Sequence, residues 1–95
     1  MSLELRHEEP HQKFVATVEG EHCVIDYAKP LPKVLDFTST RVPDTLGGRG
    51  IGTQFVKAAL DWAREHDYQV IPSCPFVAHV MDKDPDYAAL RAEAR

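Results

Sequence analysis

Four of the five glycines in this 95-residue chain fall within six positions, Gly47-Gly48-Arg49-Gly50-Ile51-Gly52, and an amphipathic helical pattern begins inside that run. A residue without Cβ admits left-handed backbone and lets the main chain approach a neighbour closely, so this run fixes a sharp entry into a helix. From there Ile51, Phe55, Ala58 and Trp62 recur at helical spacing, Val56, Ala59, Leu60 and Ala63 widen the stripe, and Lys57, Asp61, Arg64 and Glu65 take the wet side. The helix is expected to run to about His66, where Asp67 breaks it. Its first-turn N–H groups lack intrahelical partners and carry the positive end of the helix dipole. Gly48 through Gly52 therefore read either as a pyrophosphate cradle or as a tight strand-to-helix turn with no ligand. A Walker-type loop is excluded, because no Lys-Ser or Lys-Thr follows the last glycine.

Upstream of this loop the chain alternates as strands do. Phe14, Ala16 and Val18 share one face of an extended run over 13–19, with Val15 and Thr17 on the other. The Glu19-Gly20-Glu21 turn leads into a hairpin partner over 23–28, which Pro30 and Pro32 are expected to end. Val34 to Thr40 is a third strand, and Leu3 to His7 supplies an edge strand. Downstream, Val70-Ile71 forms a short buried strand ending at Pro72. Pro75 opens a helix to about Met81, and Asp84-Pro85 starts another by cap-then-proline logic. The expected fold class is α/β (α+β): an antiparallel meander joined to a glycine loop–helix–strand unit, with residues 1–95 as one domain. Ninety-five residues are too few for two separate cores.

Composition removes several function classes. Lys plus Arg number 11 against 15 Asp plus Glu, a formal charge of −4, which argues against a nucleic-acid partner. No apolar run approaches the roughly 20 residues of a membrane span, and the start has no signal-peptide stretch, so the chain reads as soluble and cytoplasmic, without a membrane partner. Cys23 and Cys74 form no Cys-x-x-Cys pair, and Pro10 keeps His7 and His11 off a shared helix, so neither a disulfide nor a metal site is expected. The acidic pairs Glu8-Glu9 and Glu19/Glu21 suit solvated strand ends, or a face for a cationic amine. Cys74 precedes the helix that begins at Pro75, where the helix dipole favours thiolate. It reads as a reactive thiol or as a small apolar filler, the reading that fits Cys23.

The stretch Val42-Pro43 through Gly-Arg-Gly-Ile-Gly, the helix Thr53 to Arg64, Pro72-Ser73-Cys74-Pro75-Phe76-Val77 and Asp84-Pro85-Asp86-Tyr87 together resemble the GNAT superfamily of acyl-CoA N-acyltransferases, and more narrowly its short YjdJ-like branch. The superfamily signature is Gln or Arg, two residues, Gly, one residue, Gly or Ala. Gly50 and Gly52 fit it, while the Gln/Arg position falls on Gly47. Ser39 stands where the short branch has a His before Thr40, so an acid–base role for that His does not carry over.

The resemblance implies a minimal GNAT-like fold, acetyl-CoA as cofactor, and transfer of the acetyl group to an amine carried by a small molecule or peptide. It implies that the strands ending near Thr40-Arg41-Val42 and Ile71-Pro72-Ser73 splay apart. Pantetheine would then lie against Thr40, Arg41, Val42, Cys74 and Phe76, and the pyrophosphate on Gly47, Gly48, Arg49, Gly50, Ile51 and Gly52. Cys74 and Tyr87 are the implied catalytic candidates near the acyl group, and Phe76 or His79 could pack on pantetheine or adenine. Two alternatives stay open: a coenzyme A or acyl-CoA binding module without turnover, and a structural interaction domain. A monomer and a homodimer are both compatible with the sequence.

Overall fold

A computed structural model describes residues 4–48 and 50–92. Strands β1 (Leu5–Glu8), β2 (Lys13–Val18), β3 (Glu21–Leu31) and β4 (Val34–Arg41) form an antiparallel meander, and β5 (Gln69–Ile71) adds to β4 in parallel. Helix α1 (Ile51–Glu65) makes the β4-to-β5 crossover, and α2 (Pro75–Asp82) and α3 (Pro85–Ala88) follow β5. The arrangement is mixed α/β, as the sequence pattern implies. Among the described residues no helix is long and apolar enough to cross a membrane.

Local chemistry explains most of these boundaries. The β2–β3 reversal uses Glu19 and Gly20, both with positive φ (52° and 79°), the mirror-image turn whose twist suits a hairpin. Contrary to expectation, Pro30 does not end β3, which runs on to Leu31. The register shifts between Ala28 and Leu31, so the proline sits in a local bulge where its missing N–H breaks no ladder bond. Asp84 caps α3, its carboxylate accepting from the Asp86 amide at 3.0 Å, with Pro85 next.

Helices α1 and α2 cover one face of the sheet, and α3 packs against them through Tyr87. Phe14, Ala16, Cys23, Ile25, Leu35 and Phe37 meet Phe55, Val56, Ala59 and Leu60 of α1 and Val77, Val80 and Met81 of α2 in one core. Each large side chain so buried contributes about 1.5–3 kcal/mol. The glycine loop also feeds this core: Asp44–Leu46 forms a 3-10 turn that drops Leu46 into it at 1% exposure. A glycine-rich loop gave no hint of that anchor. Strand alternation turns Arg6, Lys13, Thr17, Asp26 and Asp36 to the opposite face. The outer edge of β5 is covered by residues 90–92, with the Val70 amide donating to the Leu90 carbonyl and the Ala92 amide to the Val70 carbonyl.

Candidate functional site

The parallel β4–β5 ladder has three rungs, Val34 with Gln69, Leu35 with Val70 and Asp36 with Ile71. Pro72, which has no N–H, then ends β5. Across the gap the Cys74 amide donates to the Phe37 carbonyl at 2.9 Å, while β4 continues to Arg41. The strands thus fork beyond Asp36, where the resemblance placed a splay.

A β-bulge decides which side chains face that fork. Tyr27 pairs with Phe37 and Asp26 with Ser39, leaving Thr38 as the extra residue on β4. Strict alternation from buried Phe37 would have turned Ser39 toward the helices. The bulge sends Ser39 to the open face, where its hydroxyl donates to Asp26 at 2.9 Å, and turns Thr40 to the helix side.

There the Thr40 hydroxyl lies 3.5 Å from the Cys74 sulfur. Cys74 is the N-cap of α2 and is 6% exposed. Burial opposes ionisation, but the Thr40 hydroxyl and the amides of Val77, Phe76 and Thr40 outweigh it and hold the thiol below its ordinary pKa. The neutral thiol makes no formed cap bond, so this bias acts on the anion. Cys23, fully enclosed, is pushed the other way by burial alone. The two cysteines, ambiguous from sequence, are therefore unlike in environment.

The two helix starts are neighbours. A Cβ on Gly52 would meet the Phe76 ring at 3.2 Å and Val42 at 3.4 Å, so glycine at 52 allows α1, α2 and the end of β4 to touch. Gly50 serves differently: it is the N-cap of α1 with φ 73°, and Gly48 has φ 77°, both facing open space. Among the described residues no side chain caps α1, leaving the first-turn amides of Ile51, Gly52 and Thr53 directed at whatever occupies that space. Gly47, with φ −66°, needs no glycine for its conformation.

Several expected site residues contribute differently than their side chains suggest. Ile51 points into the core at 7% exposure and offers only its amide. The Arg41 guanidinium pairs with Asp26 at 3.1 Å on the open face, leaving its backbone at the fork. Arg49 lies outside the described residues. Tyr87 is drawn to α1: its hydroxyl donates to Asp61 at 2.9 Å, and burial together with that carboxylate pushes its pKa up to about 12. Its hydroxyl is thus committed away from the Thr40–Cys74 pair.

One residue at the fork went unnoticed in the sequence. Asp36 is the last rung before the strands part, its side chain faces the open side, and its Oδ1 is enclosed without a hydrogen-bond partner among the described residues. A carboxylate between Leu35 and Phe37 in an otherwise apolar strand was the available signal.

The family model of GCN5-related N-acetyltransferases matches residues 13–90, which include the fork, the glycine loop and both helix starts. Relatives include Protein NATD1 of Gallus gallus, 28% identical over 85 residues covering 87% of this chain and 77% of that protein. The Xenopus tropicalis NATD1 is 29% identical, covering 88% and 79%. Among solved structures, a GCN5-like protein from Staphylococcus aureus superposes with a TM-score of 0.70 at 28% identity, covering 99% of this chain and 92% of that one. With more than three-quarters of its length matched, and with the forked strands and glycine-turned helix in place, this chain belongs to the GCN5-related N-acetyltransferase family.

Proposed function

We propose that the protein is an acetyl-CoA-dependent N-acetyltransferase that acetylates an amine by direct attack in a ternary complex. The observation that carries this reading is the Thr40–Cys74 pair at the fork, set beside the uncapped, glycine-turned start of α1. The α1 amides of residues 51–53 suit the coenzyme pyrophosphate. The gap between β4 and β5 suits pantetheine, with the β4 edge near Thr40 and Arg41 offering backbone donors to the thioester oxygen as it becomes an oxyanion.

The fork has two chemically distinct sides. Thr40 and Cys74 line the helix side, where the thioester sulfur would sit, and Asp36 lines the open side, from which an acceptor can approach. The amine nitrogen forms a bond to the acetyl carbon, the carbon–sulfur bond breaks, and the proton lost by nitrogen passes to the Asp36 carboxylate. Cys74, whose thiol releases a proton more readily than an ordinary thiol, would supply the proton that the departing coenzyme sulfur takes up. Cys74 then recovers a proton from solvent, and Asp36 releases its own to solvent. No acetyl-cysteine intermediate is needed.

Calorimetric titration with coenzyme A tests the cofactor half. The wild-type chain should bind, and Gly50→Glu, which places a side chain and a negative charge over the α1 start, should not, with an unchanged circular dichroism spectrum as the control. Release of free thiol from acetyl-CoA across a mixed panel of amines tests the catalytic half. Coenzyme binding with no thiol release for any amine would favour the binding module without turnover, and absence of binding would overturn the proposal.

A further inference from the structure

Beside the start of α1 lies a cleft of about 170 Å³ lined by Thr53, Lys57, His79, Val80, Lys83 and Asp84. Thr53 and Lys57 are four residues apart on α1, and His79 and Lys83 are four apart on α2 and its C-cap, so two helical faces present matching pairs across it. Apart from Lys13 on β2, the other described cations are already engaged. Arg6, Arg41, Arg64 and Arg91 each pair with a carboxylate, and Lys29 and Lys33 lie over the Tyr68 ring. Lys57 and Lys83 have no anionic partner among the described residues.

In a chain with formal charge −4, two unpaired lysines facing one cavity form a local site for an anion. Asp84 is the opposing charge, and its carboxylate is already engaged by the Asp86 amide in capping α3. Two lysines against one carboxylate leave the lining positive even with His79 neutral. The volume is well below the roughly 300–1,000 Å³ of a pocket that encloses a whole small ligand, so the cleft suits one anionic group of a larger molecule whose remainder lies outside. Its lining includes Thr53, in the same first turn whose amides are assigned to the coenzyme pyrophosphate, and Lys57 lies about 6 Å further along α1 at about 1.5 Å per residue.

We propose that this cleft takes the 3′-phosphate of coenzyme A, and that Lys57 and Lys83 make the protein select coenzyme A over 3′-dephospho-coenzyme A. This rests on the coenzyme reading above. A phosphate monoester carries nearly two negative charges, and each ammonium brings three donors that form charge-assisted hydrogen bonds to its oxygens. Because both lysines are solvent-exposed or at the cleft mouth, the selectivity is electrostatic and weakens with salt.

The test is calorimetric titration of coenzyme A and 3′-dephospho-coenzyme A into the wild type and into the Lys57→Ala/Lys83→Ala double variant. Neither lysine belongs to the core, and an unchanged melting temperature confirms that the variant folds. The wild type should bind coenzyme A about tenfold or more tightly than the dephospho form, as expected for about 1.4 kcal/mol of lost charge-assisted bonding. In the double variant the two should bind within about twofold, with the dephospho affinity unchanged. Equal wild-type affinities for the two ligands, or an undiminished preference in the double variant, would overturn the inference while leaving the coenzyme reading intact. Failure of the wild type to bind either ligand would overturn both.

Discussion

The Thr40 hydroxyl and the Cys74 sulfur stand 3.5 Å apart although 34 residues separate them, and two backbone irregularities bring them together. A bulge at Thr38 turns Thr40 toward the helices, and Pro72 stops β5 early enough for Cys74 to cap α2 beside it. The Thr40 contact and the neighbouring amides bias Cys74 toward thiolate, whereas burial alone acts on Cys23. Iodoacetamide should therefore modify Cys74 before Cys23, as read by peptide mass spectrometry. Thr40→Val removes the hydroxyl, so the Cys74 pKa should rise and its alkylation near neutral pH should slow by about three- to tenfold. An unchanged rate–pH profile would show that the hydroxyl does not act on the thiol.

Tyr87 offers the opposite expectation. Its hydroxyl is held by Asp61, which also receives Arg64 at 2.8 Å, and a pKa of about 12 leaves it protonated throughout the working range. Tyr87→Phe should cost about 0.5–1.5 kcal/mol of stability, the usual worth of one hydrogen bond. Acetyl transfer should stay within about threefold of wild type, far short of the 10²–10⁴ carried by an acid–base group. A larger fall in kcat at unchanged stability would return Tyr87 to the catalytic machinery.

The contrast between these residues marks what the sequence could convey. Periodicity located α1 to within a residue, because the stripe from Ile51 to Ala63 is read directly by the core, and the cap-then-proline signals at Cys74-Pro75 and Asp84-Pro85 were equally local. The bulge at Thr38 was not legible: no glycine or proline marks it, and it exists because β3 and β4 differ by one residue across their pairing. It reverses which of Ser39 and Thr40 faces the helices, so the chemistry of the fork depends on a register that only the folded sheet defines. The cleft between Lys57 and Lys83 was hidden for a similar reason, since its two halves lie on different helices. Nor does local pattern tell a glycine needed for positive φ, such as Gly50, from one needed for close packing, such as Gly52.

Away from the fork, His7 links the edge strand to α1. Its ring stacks on Phe14 with centroids 4.5 Å apart, abuts Trp62 at 4.4 Å, and shares a 2.5 Å hydrogen bond with Tyr27. Burial lowers its pKa, Glu9 opposes, and His66 and Lys29 lower it further. The folded state thus binds this proton less readily than the unfolded chain, whose histidine titrates near 6.5. The stability associated with neutral His7 is complete above that value and is lost as pH falls below it, until the folded form also takes the proton. The melting temperature should therefore drop between about pH 7 and pH 5. His7→Phe keeps the ring packing but strands the Tyr27 hydroxyl, so it should lower stability at every pH and flatten the slope in that window. An unchanged slope would exclude His7 as its source.

Asp36 carries the most consequential expectation, because the proposed mechanism brings the acceptor in from the side that Asp36 faces. Its Oδ1 is enclosed without a hydrogen-bond partner among the described residues, so any contact with an acceptor ammonium falls to the rest of the carboxylate. Asp36→Asn keeps the shape and the β4 register but removes the charge and the capacity to accept a proton. Coenzyme A affinity should be unchanged, since the proposed coenzyme contacts do not include the Asp36 side chain, while kcat/KM for the amine should fall by about 10²–10⁴. The pH dependence separates a base from a mere binding group. With Asp36 accepting the proton, an amine bound as ammonium can react, and the rate should vary little over the neutral range. In Asp36→Asn only free amine can attack, and the rate should climb about tenfold per pH unit until the amine's own pKa is reached. Raising the pH should then recover much of the loss. A variant that stays slow and flat with pH would mean that Asp36 positions the acceptor without taking its proton, and wild-type kinetics would remove it from the site.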